Sequence, residues 1–225
     1  MEYHNYYLKQ LYPLQDTFLK FFDGQNYDRF YLTGGTALSR FYYQHRYSED
    51  LDFFTFTELK DFREILSKIL DAARERSFSF EVETVSNHFF RVYTKEKEVS
   101  LKIDFVNEVV FRWGSLNRFP LFACVDNQTN ILSNKISCMS RYEVKDIVDI
   151  WVIAKHLSFC WRDVMDIANK KSPVDPIEVS RIIKTLPSEE LKLIKWAFDV
   201  KIDEVYLDLQ TIAEDILLGH ANTLK

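Results

Sequence analysis

Two aspartates two residues apart are the side chains of this chain best suited to chemistry. Asp50 and Asp52 lie in the β-prone run Ser48–Phe54. Because successive side chains of a strand point to opposite faces, both carboxylates point the same way. Adjacent carboxylates repel each other, and a bound divalent cation such as Mg²⁺ or Mn²⁺ relieves the repulsion. An exposed strand end with two solvated acids is the alternative, and the apolar neighbours favour a metal.

A third aspartate stands in a later β-prone run. Asp104 is flanked by Ile103 and Phe105, and a lone aspartate in a strand usually faces water. If its strand pairs beside the one carrying Asp50 and Asp52, three carboxylates converge. That set suits two metal ions about 3.5–4 Å apart, which clamp the attacking and leaving oxygens of an in-line phosphoryl displacement.

A glycine turn precedes the aspartate pair. Gly34, Gly35 and Thr36 follow a short β-prone run and precede a helical pattern. Two glycines at a strand-to-helix turn let backbone N–H groups face an anion such as a phosphate, since no side chain blocks its approach. A simple turn with no ligand explains the same three residues, so this motif alone does not separate the two interpretations.

Charged residues also interrupt an apolar helix later in the chain. The run 147–154 is apolar nearly all round and should be buried, so charges on its helix need partners. One interpretation is an internal salt-bridge network; the other is a cationic wall that stabilises charge on a triphosphate. Helical spacing predicts that most of these charges cluster on one face. The residues concerned are Lys135, Arg141, Lys145, Asp146 and Asp149.

The remaining polar signals are weaker. Arg46 could reach a phosphate or pair with Glu49 or Asp50, and His45 is predicted to be structural. The other histidines show no metal-ligand spacing. The cysteines have no CxxC pair, which argues against a zinc site or a disulfide framework and predicts buried free thiols. They are Cys124, Cys138 and Cys160.

The elements that must position these residues change in character along the chain. Hydrophobic periodicity predicts strands first and only helices after residue 130 or so, which places a boundary near residues 126–130. We therefore expect an α/β lobe, residues 1–130, followed by a helical lobe, residues 131–225. The predicted strands are 30–32, 51–56, 80–85, 89–93 and 99–106. The predicted helices are 3–22, 36–43, 59–76, 131–140, 142–156, 176–186, 188–200 and 203–218.

Composition limits the possible classes of function. The 225 residues are long enough for a substantial core, and no apolar run approaches the ~20 residues that span a bilayer. The first ten residues lack an apolar signal core, so a cytoplasmic protein without membrane contact is predicted. The net charge of −5 disfavours a general nucleic-acid binder, and any RNA contact must come from a local patch.

Taken together, these motifs resemble the nucleotidyltransferase superfamily, and in particular its AbiEii-type branch of toxins from bacterial toxin–antitoxin and abortive-infection systems. The resemblance covers roughly residues 30–155. It implies an α+β, polymerase-beta-like nucleotidyltransferase fold with a mixed sheet and a helical C-terminal lobe. Where the family often has arginine before the helical aspartate, this chain has Lys145, which keeps the charge. The matching segments are 33–38, 45–54 and 135–141, with Lys145, Asp146 and Asp149.

The resemblance also implies roles. An NTP would donate its nucleotide to a tRNA 3′ end or a protein hydroxyl, in a cleft between the lobes, and a cognate antitoxin is an expected partner. Asp50, Asp52 and Asp104 would bind the metals, and the backbone of residues 34–36 would hold phosphates. Lys135 would contact the triphosphate, and Asp146 or Asp149 would orient Lys135 or Arg141. A non-catalytic nucleotide-binding or protein-interaction module of the same fold is the alternative.

Overall fold

The computed structural model describes residues 2–25, 30–55, 60, 62–76, 78–107 and 111–225. Within them, five strands form one sheet, in which the first strand of the chain lies at an edge beside the second, followed by the fifth, the fourth and the third. The predicted strand end at Phe56 and helix start at Leu59 lie outside the described residues. The strands are β1 (Phe30–Thr33), β2 (Leu51–Thr55), β3 (Phe80–Val85), β4 (Phe89–Glu96) and β5 (Val99–Val106).

The sheet is mixed, as the family resemblance implied. Strands β4 and β5 form an antiparallel hairpin, and β3 pairs antiparallel with β4. Strand β1 pairs antiparallel with β2, whereas β2 and β5 run parallel. A parallel pair needs a long crossover connection, and here helix α4 (Phe62–Glu75) and the strands β3 and β4 lie between β2 and β5 in the chain. The predicted α+β class with a mixed sheet is confirmed.

An aromatic core fixes one face of this sheet. Phe53 of β2 stacks on its cross-strand partner Phe105 of β5, with ring centroids 5.4 Å apart. Phe22 lies 4.6 Å from Phe53 and 5.7 Å from Phe105. All three rings are almost fully buried. Phe22 belongs to an N-terminal helical segment made of α1 (Glu2–Tyr6), a π-helical turn (Tyr7–Leu11) and α2 (Tyr12–Asp23).

The remaining regular structure of the described residues is helical. A short helix, α3 (Gly34–Leu38), runs into a π-helical turn (Ser39–Tyr43), so it begins at the glycines rather than after them. The sequence reading missed a helix at Trp161–Asn169. The C-terminal helices are α5 (Gln128–Ser137), α6 (Val144–His156), α7 (Trp161–Asn169), α8 (Pro176–Lys184), α9 (Ser188–Leu191) and α10 (Ile202–Leu218).

The predicted helix over residues 188–200 is wrong beyond Leu191. After this residue the backbone pairs with a segment distant in sequence instead of with itself. Tyr47 N donates to Lys195 O, and Ala197 N donates to His45 O. These antiparallel bridge contacts take up backbone groups that a longer helix would have used internally, so tertiary pairing overrides local helical periodicity.

Contacts group the chain into two compact units. The sheet unit comprises Met1–Ala37, Ser48–Val110 and Leu116–Asp126. The helical unit comprises Leu38–Tyr47, Phe111–Ser115 and Asn127–Lys225. The predicted lobes, residues 1–130 and 131–225, are continuous stretches, whereas each of these units is assembled from separate stretches of chain. The split therefore stays a prediction about domains.

Two further properties were readable from the sequence. None of the described helices is both long and apolar enough to cross a lipid bilayer. The cysteines are free thiols, as predicted, but each is half-buried rather than fully buried.

Candidate functional site

The three aspartates of the sheet unit share one face of the sheet. Strands β2 and β5 are neighbours, and Asp52 lies directly opposite Asp104. Asp50 lies two residues before Asp52 and therefore on the same side. The sequence predicted that the three carboxylates come together only if these two strands pair. The structure shows this pairing.

Two cations accompany these carboxylates. Lys102 Nζ lies 2.5 Å from Asp50 Oδ2. Arg91 donates to both oxygens of Asp104, from Nε and Nη2, each at 2.7 Å. The hydrogen bonds to Asp104 raise the pKa of Arg91. Burial alone would lower the pKa of Lys102, but the hydrogen bond and charge of Asp50 outweigh it, so the pKa of Lys102 is also raised. Both cations are therefore charged and bound to the acids.

The sequence reading missed Arg91 and Lys102. The available signal for Lys102 was its position two residues before Asp104, which puts both side chains on one face of β5. Arg91 could be assigned only from the pairing of β4 with β5, which places it opposite Asp104. Cross-strand partners of opposite charge stabilise a sheet, so this pair also fixes the register.

The donor atoms suit a magnesium ion in type. Carboxylate oxygens are the ligands that Mg²⁺ prefers, and Asp50, Asp52 and Asp104 present them on one face. Among the described residues, no three His, Cys, Asp or Glu side chains already converge as a metal would require. A metal would therefore compete with Lys102 and Arg91 for the carboxylates, and its binding here stays a prediction.

The glycine turn lies against the aspartate strand. Gly34 has a φ of +74°, in the left-handed region that side chains rarely adopt. A Cβ added to Gly34 would lie 2.8 Å from Asp52 Oδ2, closer than real Cβ contacts allow. Thr33, the preceding residue, pairs with Asp52 across β1 and β2. Glycine is required here by both backbone conformation and space, and the two sequence motifs are in direct contact.

Thr36 supports the segment that carries Asp50. Its buried hydroxyl hydrogen-bonds Ser48 Oγ at 2.8 Å and donates to the backbone oxygen of Asp50. Gln15, which the sequence reading missed, donates from Nε2 to Ser48 O at 3.3 Å and to Glu49 O at 2.9 Å. The available signal was a glutamine at helical spacing among the apolar residues Leu11 and Phe18, and the structure buries it fully. These hydrogen bonds hold residues 48–50, the segment that leads into β2.

A separate ionic cluster lies inside the helical unit. Asp149 is fully buried, and its Oδ1 accepts from Arg46 Nε at 2.7 Å and His45 Nε2 at 2.8 Å. Its Oδ2 accepts from Arg46 Nη2 at 2.8 Å and lies 2.8 Å from Lys135 Nζ. Lys135 also pairs with Asp146. The internal network considered from the sequence is therefore present, and a phosphate contact of Lys135 stays a prediction.

Protonation in this cluster follows from its geometry. Burial would raise the pKa of Asp149, but Arg46 and Lys135 hold it well below its usual range. Burial lowers the pKa of His45 despite the nearby Asp149. His45 Nδ1 is buried and has no hydrogen-bond partner among the described residues. A second ring proton would have no acceptor there, so a neutral His45 that donates from Nε2 fits the site.

Two predicted members do not join this cluster. Arg141 is exposed, in a 3₁₀ turn (Met139–Arg141) that ends before α6 begins. Tyr142 reverses the chain with a φ of +52°, so helical spacing does not apply to Arg141. Lys145 is about half-exposed and lies 3.8 Å from Glu143. The expectation of a shared face with Asp146 and Asp149 is therefore wrong for Arg141. Lys145 keeps its i,i+4 spacing to Asp149 within α6, and its role at a phosphate stays a prediction.

Replacing Gly34 tests the contact between the two motifs. Gly34→Ala should lower the free energy of unfolding by about 1–2 kcal/mol from the left-handed backbone alone, with further loss from displacing Asp52. Urea denaturation of both variants measures it. Gly24→Ala is the matched control, since Gly24 has a right-handed φ of −67°. Equal losses in the two variants would contradict this account of Gly34.

The buried histidine predicts a pH dependence of stability. Unfolded His45 takes up a proton below pH 6.5 or so, whereas the folded side chain, with its lowered pKa, resists protonation. The free energy of unfolding should therefore fall as pH falls through this range. His45→Gln keeps a donor for Asp149 and should flatten the slope in urea titrations at several pH values. His220→Gln, at an exposed site of the same unit, is the control and should leave the slope unchanged. A slope that flattens in His220→Gln but not in His45→Gln would refute the assignment of this pH dependence to His45.

Comparison with known proteins agrees with this fold. A 27% identical, uncharacterized protein of Aquifex aeolicus, aq_aa25, aligns over 198 residues, 83% of this chain and 82% of its own length. The crystal structure of JHP933 from Helicobacter pylori superposes with a TM-score of 0.62 at 19% identity, covering 91% of each chain. MenT4, the nucleotidyltransferase toxin Rv2826c of Mycobacterium tuberculosis, gives a TM-score of 0.60 at 15% identity, covering 92% of this chain and 82% of its own.

The family comparison is more specific. Residues 20–171 match the model of the nucleotidyl transferase AbiEii toxin, type IV toxin–antitoxin system. The matched stretch includes the glycine turn, the three aspartates of the sheet and the buried cluster around Asp149. It spans well over half of the sequence. The chain belongs to the AbiEii nucleotidyl transferase toxin family.

Proposed function

We propose that this chain is a Mg²⁺-dependent (or Mn²⁺-dependent) enzyme that moves a nucleoside monophosphate from an NTP to an acceptor hydroxyl. The observation that carries the proposal is the placement of Asp50, Asp52 and Asp104 on one face of two adjacent strands, with the glycine turn against Asp52. Family membership supplies the reaction class, and the carboxylates supply a reason for metal dependence.

The roles follow from what each group offers. Asp50 and Asp52 would hold both metals, and Asp104 would complete one metal site and help to deprotonate the acceptor hydroxyl. The bound metal supplies charge stabilisation to the transferred phosphoryl group. Backbone N–H groups of residues 34–36, where a helix begins, would bind the β- and γ-phosphates. The Thr36 hydroxyl is committed to Ser48 and Asp50, so its side chain acts by positioning Asp50.

Cations are available for the triphosphate. Arg91 and Lys102 form ion pairs with Asp104 and Asp50. A metal would take over that compensation and release both side chains toward phosphate oxygens on the same face. Lys135 is a further candidate; its pairs with Asp146 and Asp149 would fix the ammonium group.

The acceptor and the partner belong to the proposal as well. A tRNA 3′ end or a protein hydroxyl is the proposed acceptor, in the cytoplasm. A cognate antitoxin is the proposed partner, since the family is one of toxin–antitoxin systems. The nucleotidyltransferase activity of MenT4 is consistent with the same reaction class.

One observation favours a second candidate, a module of this fold without turnover. Lys102 and Arg91 supply protein counter-charges to two of the three carboxylates, Asp50 and Asp104. A protein that had lost catalysis would be stable in this state. Metal binding and label transfer therefore decide between the two candidates.

Label transfer tests the activity. The purified protein, Mg²⁺, total tRNA and each α-³²P-labelled NTP in turn should give labelled tRNA or labelled protein. Asp52→Asn should lower the rate roughly a hundredfold or more, because a metal ligand contributes several kcal/mol to the transition state. Asp71→Asn, at an exposed aspartate of α4, is the control and should keep full activity. Absence of label with every NTP would make the non-catalytic module the better account.

Thermal unfolding tests the metal. Mg²⁺ or Mn²⁺ at a hundredfold excess over its Kd should stabilise the protein by about 2.7 kcal/mol, seen as a higher Tm. Asp52→Ala should abolish the shift. Lys102→Met removes the ammonium that competes for Asp50 and should allow the same shift at lower metal concentration. An unchanged shift in Asp52→Ala, or none in the wild type, would count against this site.

A further inference from the structure

Two exposed aromatic rings lie side by side in the helical unit. Phe111 and Trp113 have 39% and 45% of their surfaces exposed, and their ring centroids are 6.3 Å apart. Lys170 Nζ lies 5.1 Å from the Phe111 centroid and 5.8 Å from the Trp113 centroid, within cation–π range of both rings. Phe111, Trp113 and Lys170 are called the aromatic platform below.

The backbone beneath the platform is held by buried and half-buried asparagines. Trp113 N donates to Asn130 Oδ1 at 2.8 Å, and Asn127 Nδ2 donates to Trp113 O at 2.6 Å. Asn127 also donates to Ser115 O and caps helix α5 through the Asn130 N–H. Gly114 has a φ of +75° and packs against Asn127, which leaves no room for a Cβ. The rings are thus carried on a fixed turn.

The lysine side of the platform is tied to the same helix. Lys171, next to Lys170, donates to Asn130 Oδ1 at 2.7 Å and to Ser133 Oγ and Asn134 Oδ1 at 2.5 Å each. Asn130 therefore joins the turn of Trp113 to the chain beside Lys170. A preorganised surface loses little conformational entropy when a ligand binds.

We propose that the aromatic platform binds unpaired bases of a single-stranded nucleic acid, which in the proposed reaction is the RNA acceptor; this rests on the proposed function. Bases stack on aromatic faces, and an ammonium group beside them pairs with the connecting phosphate. The net charge of −5 gives no general attraction for RNA, so binding must come from stacking at one place. A low dependence on salt follows: one neutralised phosphate of a single strand gives a log–log slope of about −0.7.

Fluorescence anisotropy of a labelled oligoadenylate tests the proposal. Trp113→Ala and Phe111→Ala should each weaken binding roughly 5- to 150-fold, the range for one stacked base. Lys170→Gln should remove the salt dependence.

Phe198→Ala is the matched control, since Phe198 is a 51% exposed aromatic of the same unit, and it should bind like the wild type. A duplex of the same sequence should bind more weakly, because its bases are already stacked. Thermal unfolding of each variant identifies any that fails to fold. Trp113→Phe keeps an aromatic ring at this position and should bind the oligoadenylate where Trp113→Ala does not.

The outcomes separate this proposal from the proposed function. Equal binding by Trp113→Ala and Phe198→Ala, or equal binding of duplex and single strand, would overturn the platform. A wild-type protein that transfers nucleotides but binds no oligonucleotide would also overturn the platform while leaving the proposed activity standing. A protein would then be the better ligand for the two rings. Oligonucleotide binding that depends on Trp113, in a protein that transfers no nucleotide, would support the platform and refute the activity.

Discussion

The parallel pairing of β2 with β5 is the constraint on which the candidate site depends. It places Asp52 opposite Asp104 and, one position along, Phe53 opposite Phe105. Because side chains alternate along a strand, a slip of one residue would turn the aspartates into the core and the aromatic rings out of it. The stacked rings, packed against Phe22, therefore hold the register, and the carboxylates on the other face owe their mutual position to that apolar core.

Charge compensation is the second organising feature, and each unit uses it differently. In the sheet unit the cations Arg91 and Lys102 come from neighbouring strand positions and are part-exposed, as is Asp50, whereas Asp104 is nearly buried. In the helical unit Asp149 is fully buried, and removing one of its partners would leave an uncompensated charge. The first arrangement suits exchange of a counter-ion. The second suits a permanent structural role.

The polar supports of the site use residues with little chemistry of their own. Gln15 and Thr36 form hydrogen bonds with the segment before β2, and Gly34 lets the start of a helix approach Asp52. In the helical unit, Asn127 and Asn130 do the same for the turn that carries Trp113. Buried polar groups that are fully hydrogen-bonded specify one arrangement of the chain, so these residues decide where the reactive or exposed groups lie.

The sequence by itself determined the five strands, most of the helices, the glycine turn and the shared face of Asp50 and Asp52, because hydrophobic period and backbone chemistry are local. Only the tertiary structure decided that Arg91 meets Asp104, that Arg46 meets Asp149, and that the chain leaves its helix after Leu191. Arg46 and Asp149 are 103 residues apart, the segment after Leu191 pairs with residues 45–47, and Arg91 meets Asp104 only through the register of the β4–β5 hairpin. Periodicity carries no information on which strand or segment becomes the neighbour, since that choice is set by packing and charge in the folded chain.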